Sequence, residues 1–307
     1  MSDDSYLEKL ADPAEPLVAS KLTELSAMGP EEVSSFLNIW QEMAPDRRRR
    51  LIQMLIDLAE DNVELNFDAV FFIALGDSEV EVRRGAVAGL WEYEGRDLID
   101  PLVGLLQSDP EAGVRVEAAQ TLGRFVLQAE FDTLRAADAQ RVGQALRRTI
   151  DDLTEVVEVR GRALESLGVS SEPGVGDLIQ GAFESAERRL RLSAVHAMGR
   201  SCDAEWLPAL IAELESDDPE MRFEAATACG VIAEGEATQH LALLLHDDDD
   251  EVRQAAIASL GQIGGPQAKE TLEELVEEGD EGIQEAALAA LAEVDFAEDP
   301  INFKVRG

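Results

Sequence analysis

VRRGAVAGLW (residues 82–91), VRVEAAQTLG (114–123), VRGRALESLG (159–168), LRLSAVHAMG (190–199), MRFEAATACG (221–230), VRQAAIASLG (252–261) and IQEAALAALA (283–292) are seven copies of one ten-residue pattern. Taking the second residue of each copy as an anchor gives Arg83, Arg115, Arg160, Arg191, Arg222, Arg253 and Gln284, at intervals of 32, 45, 31, 31, 31 and 31. Apolar residues recur at −1, +3, +4 and +7 from the anchor, which is one face of a helix with 3.6 residues per turn. Each copy is therefore a helix. A second amphipathic stretch precedes it, such as AEWLPALIAELES (204–216) or ATQHLALLLH (237–246), and a short acidic turn such as DDPE (217–220) joins the two. The repeating unit is a pair of antiparallel helices.

A hairpin of 31 residues cannot bury both of its apolar faces alone, so successive hairpins must stack and share one core, which makes a solenoid. The alanine at +3 in every copy fits close helix approach, and the glycine at +8 in five copies suits a helix end. The interval of 45 is one repeat with about 14 extra residues, and the segment 127–138 departs from the period. Its Phe131 and Leu134 are expected to pack across the joint, although insertions in solenoids also carry binding.

On these residues the chain resembles HEAT repeats, particularly the short bacterial kind seen in phycobilisome-lyase subunits, over roughly residues 64–295. The resemblance implies an all-α fold, a right-handed α-solenoid of stacked helix pairs, with seven repeats. It also implies a ladder in which an acid six residues before each anchor joins the arginines of neighbouring repeats. The matching positions are Asp77, Asp109, Thr154, Ser185, Ser216, Asp247 and Glu278, so four acids and three hydroxyls stand there. Where the acid is missing, hydroxyls and helix-end carbonyls are the expected acceptors for a buried arginine.

Residues 1–63 are helical in pattern but irregular, and read as an N-terminal cap. Candidate helices lie at 17–28, 31–43 and 46–60; Arg48 with Leu51, Ile52 and Leu55 makes the third a degenerate repeat. In the tail, 296–307, Pro300 stops the last helix and Ile301 and Phe303 are placed to fold back onto it.

Composition narrows the function. The formal charge is −38, from 26 basic and 64 acidic residues, which sets the chain against phosphate backbones and anionic lipid. No nucleic acid and no membrane is expected as partner. Only four basic residues are lysines (Lys9, Lys21, Lys269, Lys304), which fits either a salt-rich cytoplasm or a GC-rich genome. The first 20 residues hold no apolar run of signal-peptide length, and with two cysteines there is no disulfide scaffold, so a reducing cytoplasm is the expected location.

No enzyme signature is present: no glycine-rich loop after a strand, no GxSxG and no Walker pattern. No catalytic residue, no metal ligand and no cofactor is assigned. The run Arg47 to Arg50 is weighed as a phosphate site and read instead as repeat anchor plus helix surface, and Arg188, Arg189 and Arg191 are read the same way. Asp247 to Asp250 is weighed as part of a calcium loop, but the sixth and twelfth positions hold Val252 and Ala258, so helix capping is the better account. The histidines, His196, His240 and His246, are not at ligand spacing and precede Ala197, Leu241 and Asp247, which excludes the repeated His-Glu pairs of deoxyhypusine hydroxylase, another HEAT-like protein. Cys229 fills an apolar slot and Cys202 lies past a helix end.

With the second helices lining the concave side, as the resemblance implies, positions +2, +5 and +9 face the groove. They are Glu117, Gln120 and Arg124; Arg162 and Glu165; Ser193, His196 and Arg200; Glu224 and Thr227, with Leu192 and Phe223 bordering the stripe at +1. These are the candidate partner-binding residues. The expected function is a non-catalytic scaffold or assembly factor that binds another protein, favourably a basic one. Two alternatives stay open: a bilin or chromophore lyase subunit, allowed by the resemblance, and a HEAT-like DNA-binding or glycosylase protein, which the charge disfavours.

Overall fold

The computed structural model describes residues 9–298, and every regular element among them is helical. The short α1 (Ala19–Leu22) is followed by α2 (Pro30–Glu42), α3 (Pro45–Asp61), α4 (Asp68–Ala74), α5 (Val80–Gly89), α6 (Ile99–Ser108), α7 (Ala112–Glu130) and α8 (Ala136–Asp151). Next come α9 (Val157–Leu167), α10 (Val175–Phe183), α11 (Arg188–Ser201), α12 (Leu207–Glu213), α13 (Pro219–Ile232), α14 (Thr238–Leu244), α15 (Asp250–Ile263), α16 (Gly265–Glu278) and α17 (Glu281–Glu298). The helix starts follow local chemistry. Prolines open α2, α3 and α13 at the first turn, where no backbone donor is missed, and the Asp218 and Asp249 carboxylates accept backbone N–H groups at the starts of α13 and α15.

The chain divides into two units, residues 1–125 with 134–145, and residues 126–133 with 146–307. In the first, α3 packs on α5 and α4 on α5. In the second, α9, α11, α13, α15 and α17 lie side by side in sequence order, and α10, α12, α14 and α16 each pack on the second helix of their own repeat. The anchor-plus-three alanines, from Ala86 to Ala287, are all fully buried, as close packing requires.

The glycines at +8 do something the sequence pattern did not indicate. Helices α11, α13 and α15 run past them to +10, and at +11 Cys202 and Ala233 end α11 and α13 in the left-handed region, with φ of 51° and 58°. The glycines are instead where neighbouring second helices touch. A Cβ on Gly199 would stand 2.8 Å from the Ala228 Cα, and one on Gly261 3.0 Å from the Ala290 Cα. Gly168, which also ends α9 as the sequence suggests, meets Ala197, and Gly230 meets Ser259 in the same register, so these four +8 glycines face the +6 residue of the next repeat. The glycine is selected here by the absence of a side chain.

The arginine ladder takes a definite form. Each of Arg83, Arg115, Arg191, Arg222 and Arg253 donates one Nη1 to the backbone carbonyl six residues before it, closing its own turn. In Arg83 and Arg222 the remaining guanidinium nitrogens reach forward, whereas Arg253 Nη2 stays with Asp250 of its own turn. Arg83 makes two bonds, of 2.6 and 2.9 Å, to the Asp109 carboxylate, and Arg222 makes two, of 2.7 and 2.8 Å, to Asp247. Arg48 pairs with Asp77 at 2.9 Å, so α3 carries an anchor as its sequence suggests. The hydroxyls at the same position do not replace the acid: Ser185 and Ser216 accept the N–H groups of Glu187 and Asp218, as Asp77, Asp109 and Asp247 accept those of Glu79, Glu111 and Asp249. The common role of the position is to shape the turn, which serine and aspartate share; the ladder is an addition that only aspartate makes.

One other expectation changes. Phe131 is 70% exposed, because α7 continues to Glu130 and the chain turns there in solvent, so it does not pack across a joint. Ile301 and Phe303 lie outside the described residues.

Candidate functional site

The second helices of the larger unit bring most of the expected groove residues onto neighbouring strips, but not all of them face outward. Leu192 is 1% exposed and belongs to the interior, and Ser193 is fully buried. For Ser193 the reason is lateral: in a close-packed row, +2 on α11 is covered by α9, where a Cβ on Gly161 would stand 2.5 Å from the Ser193 hydroxyl. A helical wheel separates inward from outward, but it does not show which flank a neighbouring helix covers.

Around Ser193 lies a charged network. The Glu165 carboxylate, 6% exposed, accepts hydrogen bonds from the Ser193 hydroxyl at 2.6 Å, Arg189 at 2.9 Å and Arg162 at 2.7 Å. Arg189 also binds Glu158 at 2.8 Å; burial lowers its pKa, but the two carboxylates outweigh this and hold it above the usual arginine value. Glu165 therefore ties α9 to α11, and Arg162 braces it from within α9, so both are internal structure of the strip. Glu158 was not singled out from the sequence, and Arg189 was read only as helix surface. Their signal was there: Glu158, Arg189 and Glu220 stand at −2 of three successive repeats, and separations of about one repeat also pair Arg188 with Asp218 and Glu220, and Arg84 with Glu117.

Farther along, His196 Nδ1 lies 3.3 Å from Glu224 Oε2, linking α11 to α13. Arg200 is exposed. Phe223 is half-buried beside a recess it shares with Pro219, Glu220, Glu224, Asp249 and Glu251, with a volume of 410 Å³. Thr227 donates its hydroxyl to the Phe223 carbonyl at 3.0 Å, which holds the turn above that recess. In the smaller unit Gln120 is exposed, while Arg124 donates to the carbonyls of Leu90 and Trp91 and so finishes α5. Arg124 is thus occupied by backbone.

The arginine run and the tetra-acid run weighed in the sequence have structural roles. Arg49 is paired with Glu79 and Asp46, and Arg47 donates to the Leu10 carbonyl. Asp247 pairs with Arg222 and Asp249 caps α15, so the tetra-acid run is helix start and ladder. Among the described residues no group of His, Cys, Asp and Glu is arranged to hold a metal, and no helix is long and apolar enough to cross a membrane. Burial pushes the Cys229 thiol up to about 12, whereas Cys202 is exposed. A disulfide reagent at pH 8 is expected to label one thiol in the folded protein and the second only after unfolding; two fast equivalents under native conditions would contradict the packing of α13.

The comparisons agree with this architecture. The family model of HEAT repeats matches residues 69–168, 175–257 and 207–292. No curated protein matches the sequence. Among solved structures, the complex of CpcE and CpcF of phycocyanin lyase from Nostoc sp. PCC7120 is similar with a TM-score of 0.51 and 17% identity, covering 93% of this chain and 96% of that one. A Kap95:Nup1 complex is similar with a TM-score of 0.54 and 16% identity, covering 96% of this chain and 47% of that one. Importin beta gives 0.52 and 16%, covering 94% and 43%, so the chain spans less than half of these two proteins. At such identities the likeness is one of fold. With the family model matched across most of its length, the chain belongs to the HEAT-repeat family.

Proposed function

We propose that the chain is a non-catalytic scaffold or assembly factor that holds a basic partner protein on the outer face of its second helices. The observation that supports this most directly is the recess beside Phe223, where an aromatic edge is flanked by Glu220, Glu224, Asp249 and Glu251. An aromatic anchor ringed by charge is the composition of an interaction hot spot, and carboxylates around it favour cationic partners. The charge of −38 adds a long-range field that speeds encounter with such a partner. A cytoplasmic location and the absence of a cofactor go with this reading.

The test is retention of a stoichiometric partner from native extract at low and high salt. Phe223→Ala is expected to weaken retention about tenfold or more, the loss typical of a hot-spot aromatic. Phe223 is half-buried, so circular dichroism must first show the variant folded. No partner at either salt, or full retention by the folded variant, overturns the reading.

A further inference from the structure

The first repeat breaks its own pattern at +8. Where five later copies have glycine, it has Trp91, and the residues that follow, Glu92, Tyr93 and Glu94, alternate acid and aromatic. Helix α5 stops at Gly89, whose Cβ would stand 2.5 Å from the Phe71 ring, so the chain leaves the helix instead of packing on as α11, α13 and α15 do. The turn is nevertheless fixed. Trp91 N–H donates to the Ala88 carbonyl at 3.1 Å and Tyr93 N–H to the Leu90 carbonyl at 3.0 Å. The Tyr93 hydroxyl donates to Asp97 at 2.8 Å, its ring stands edge-on to Phe72 at 5.0 Å, and Arg124 binds the Trp91 carbonyl.

This turn walls a recess of 340 Å³ with the end of α3 opposite. Two large apolar residues in it stand in solvent, Trp91 at 62% and Val63 at 88% exposed. Its rim carries Glu60, Glu92 and Glu94. Elsewhere the surface glutamates Glu79, Glu117, Glu158 and Glu220 each form an ion pair with an arginine, but among the described residues none of these three does, and Glu94 only adds its charge to the field at Arg124. An exposed indole on a fixed turn, beside carboxylates that form no ion pair, is complementary to a planar cation.

We propose that this recess is a docking site for an arginine side chain of a partner protein, with the guanidinium stacked on Trp91 and held by Glu60, Glu92 and Glu94. Arginine fits better than lysine, because its flat, weakly hydrated fork stacks on an aromatic face while donating to carboxylates at its edge. The site lies in the unit that does not contain Phe223, and it stands or falls separately from the surface there.

The test uses the full chain in about 0.15 M salt, where the general acidic field is largely screened. The probe is the blocked peptide Gly-Arg-Gly-Arg-Gly, and the readout is the indole N–H resonance of Trp91, assigned with Trp91→Phe. A saturable shift of Trp91, with Trp40 and Trp206 unmoved, is expected. The citrulline peptide, neutral and of the same shape, is expected to bind at least about tenfold more weakly, as is the arginine peptide to Glu60→Gln/Glu92→Gln/Glu94→Gln. These three residues are exposed, so the variant folds. Phe223→Ala is expected to leave the response intact. An unmoved Trp91 resonance, or equal responses to both peptides, overturns the proposal, whatever becomes of partner retention at Phe223.

Discussion

Gly199→Leu is expected to lower stability by about 3 kcal/mol, the upper part of the range for overpacked cores. The glycine lies inside α11, where leucine has the better helix propensity by up to about 1 kcal/mol. Propensity and packing thus pull in opposite directions, and packing wins. The new Cβ would stand 2.8 Å from a backbone atom, the Ala228 Cα, so no side-chain rotation relieves the clash and α11 and α13 must separate. Gly181→Leu is the control. It sits within α10, is exposed, and a Cβ there meets nothing within 4 Å, so it is expected to be neutral or slightly stabilising. Thermal melting reads the difference as a fall of roughly 6–12 °C for Gly199→Leu at this size. Equal melting of the two variants would show that the second helices do not touch at +8.

Asp109→Asn is expected to cost about 3–5 kcal/mol, because it leaves the Arg83 guanidinium buried without its counter-charge. Both side chains are deep, at 9% and 3% exposure, and the carboxylate takes two bonds from the one guanidinium. Replacing the pair by Arg83→Met/Asp109→Leu is expected to cost less than Asp109→Asn alone, since two apolar groups leave no orphaned charge. Urea unfolding of the single and double variants measures the coupling. If the double is as costly as the sum of the singles, the pair is not coupled.

The same bond sets an acid limit. Burial tends to raise the Asp109 carboxyl, but the Arg83 hydrogen bond, the Glu111 N–H and the neighbouring arginine charges outweigh it and hold it below the ordinary value of 3.8. Asp247 is held low chiefly by its hydrogen bond from Arg222. A carboxyl depressed in the folded state binds its proton more readily when unfolded. Its stabilisation is therefore complete above the ordinary aspartate value and is lost as pH falls through the lower, folded one. Unfolding followed from pH 6 to 3 is expected to show stability falling below about pH 4, with a smaller fall in the Met/Leu double variant.

The period, the helix pairs and the buried alanines were legible because each is written seven times in the same register. What repetition does not state is which neighbour a given flank meets. Gly199 looked like a helix end since glycine is common there, whereas the left-handed residues that end α11 and α13 are Cys202 and Ala233. Leu192 looked like groove border since +1 lies near the outer stripe, yet it is buried in the interior. Arg162 and Glu165 looked like groove residues, but the groups that hold Glu165, Arg189 and Ser193, come from the next repeat. Trp91 was passed over as the end of a repeat, when its departure from glycine was the informative feature.

The glycine-to-small-residue junction also governs how such a chain changes length. Because +8 of one repeat meets +6 of the next, excising the 31 residues from Pro219 to Asp249 would set Gly199 against Ser259, a pairing of the kind Gly230 already makes. Loss or duplication of one whole module therefore preserves the seam, whereas inserting a single residue within a second helix rotates every later side chain by about 100° and destroys it. The molecule can be edited by the paragraph but not by the letter.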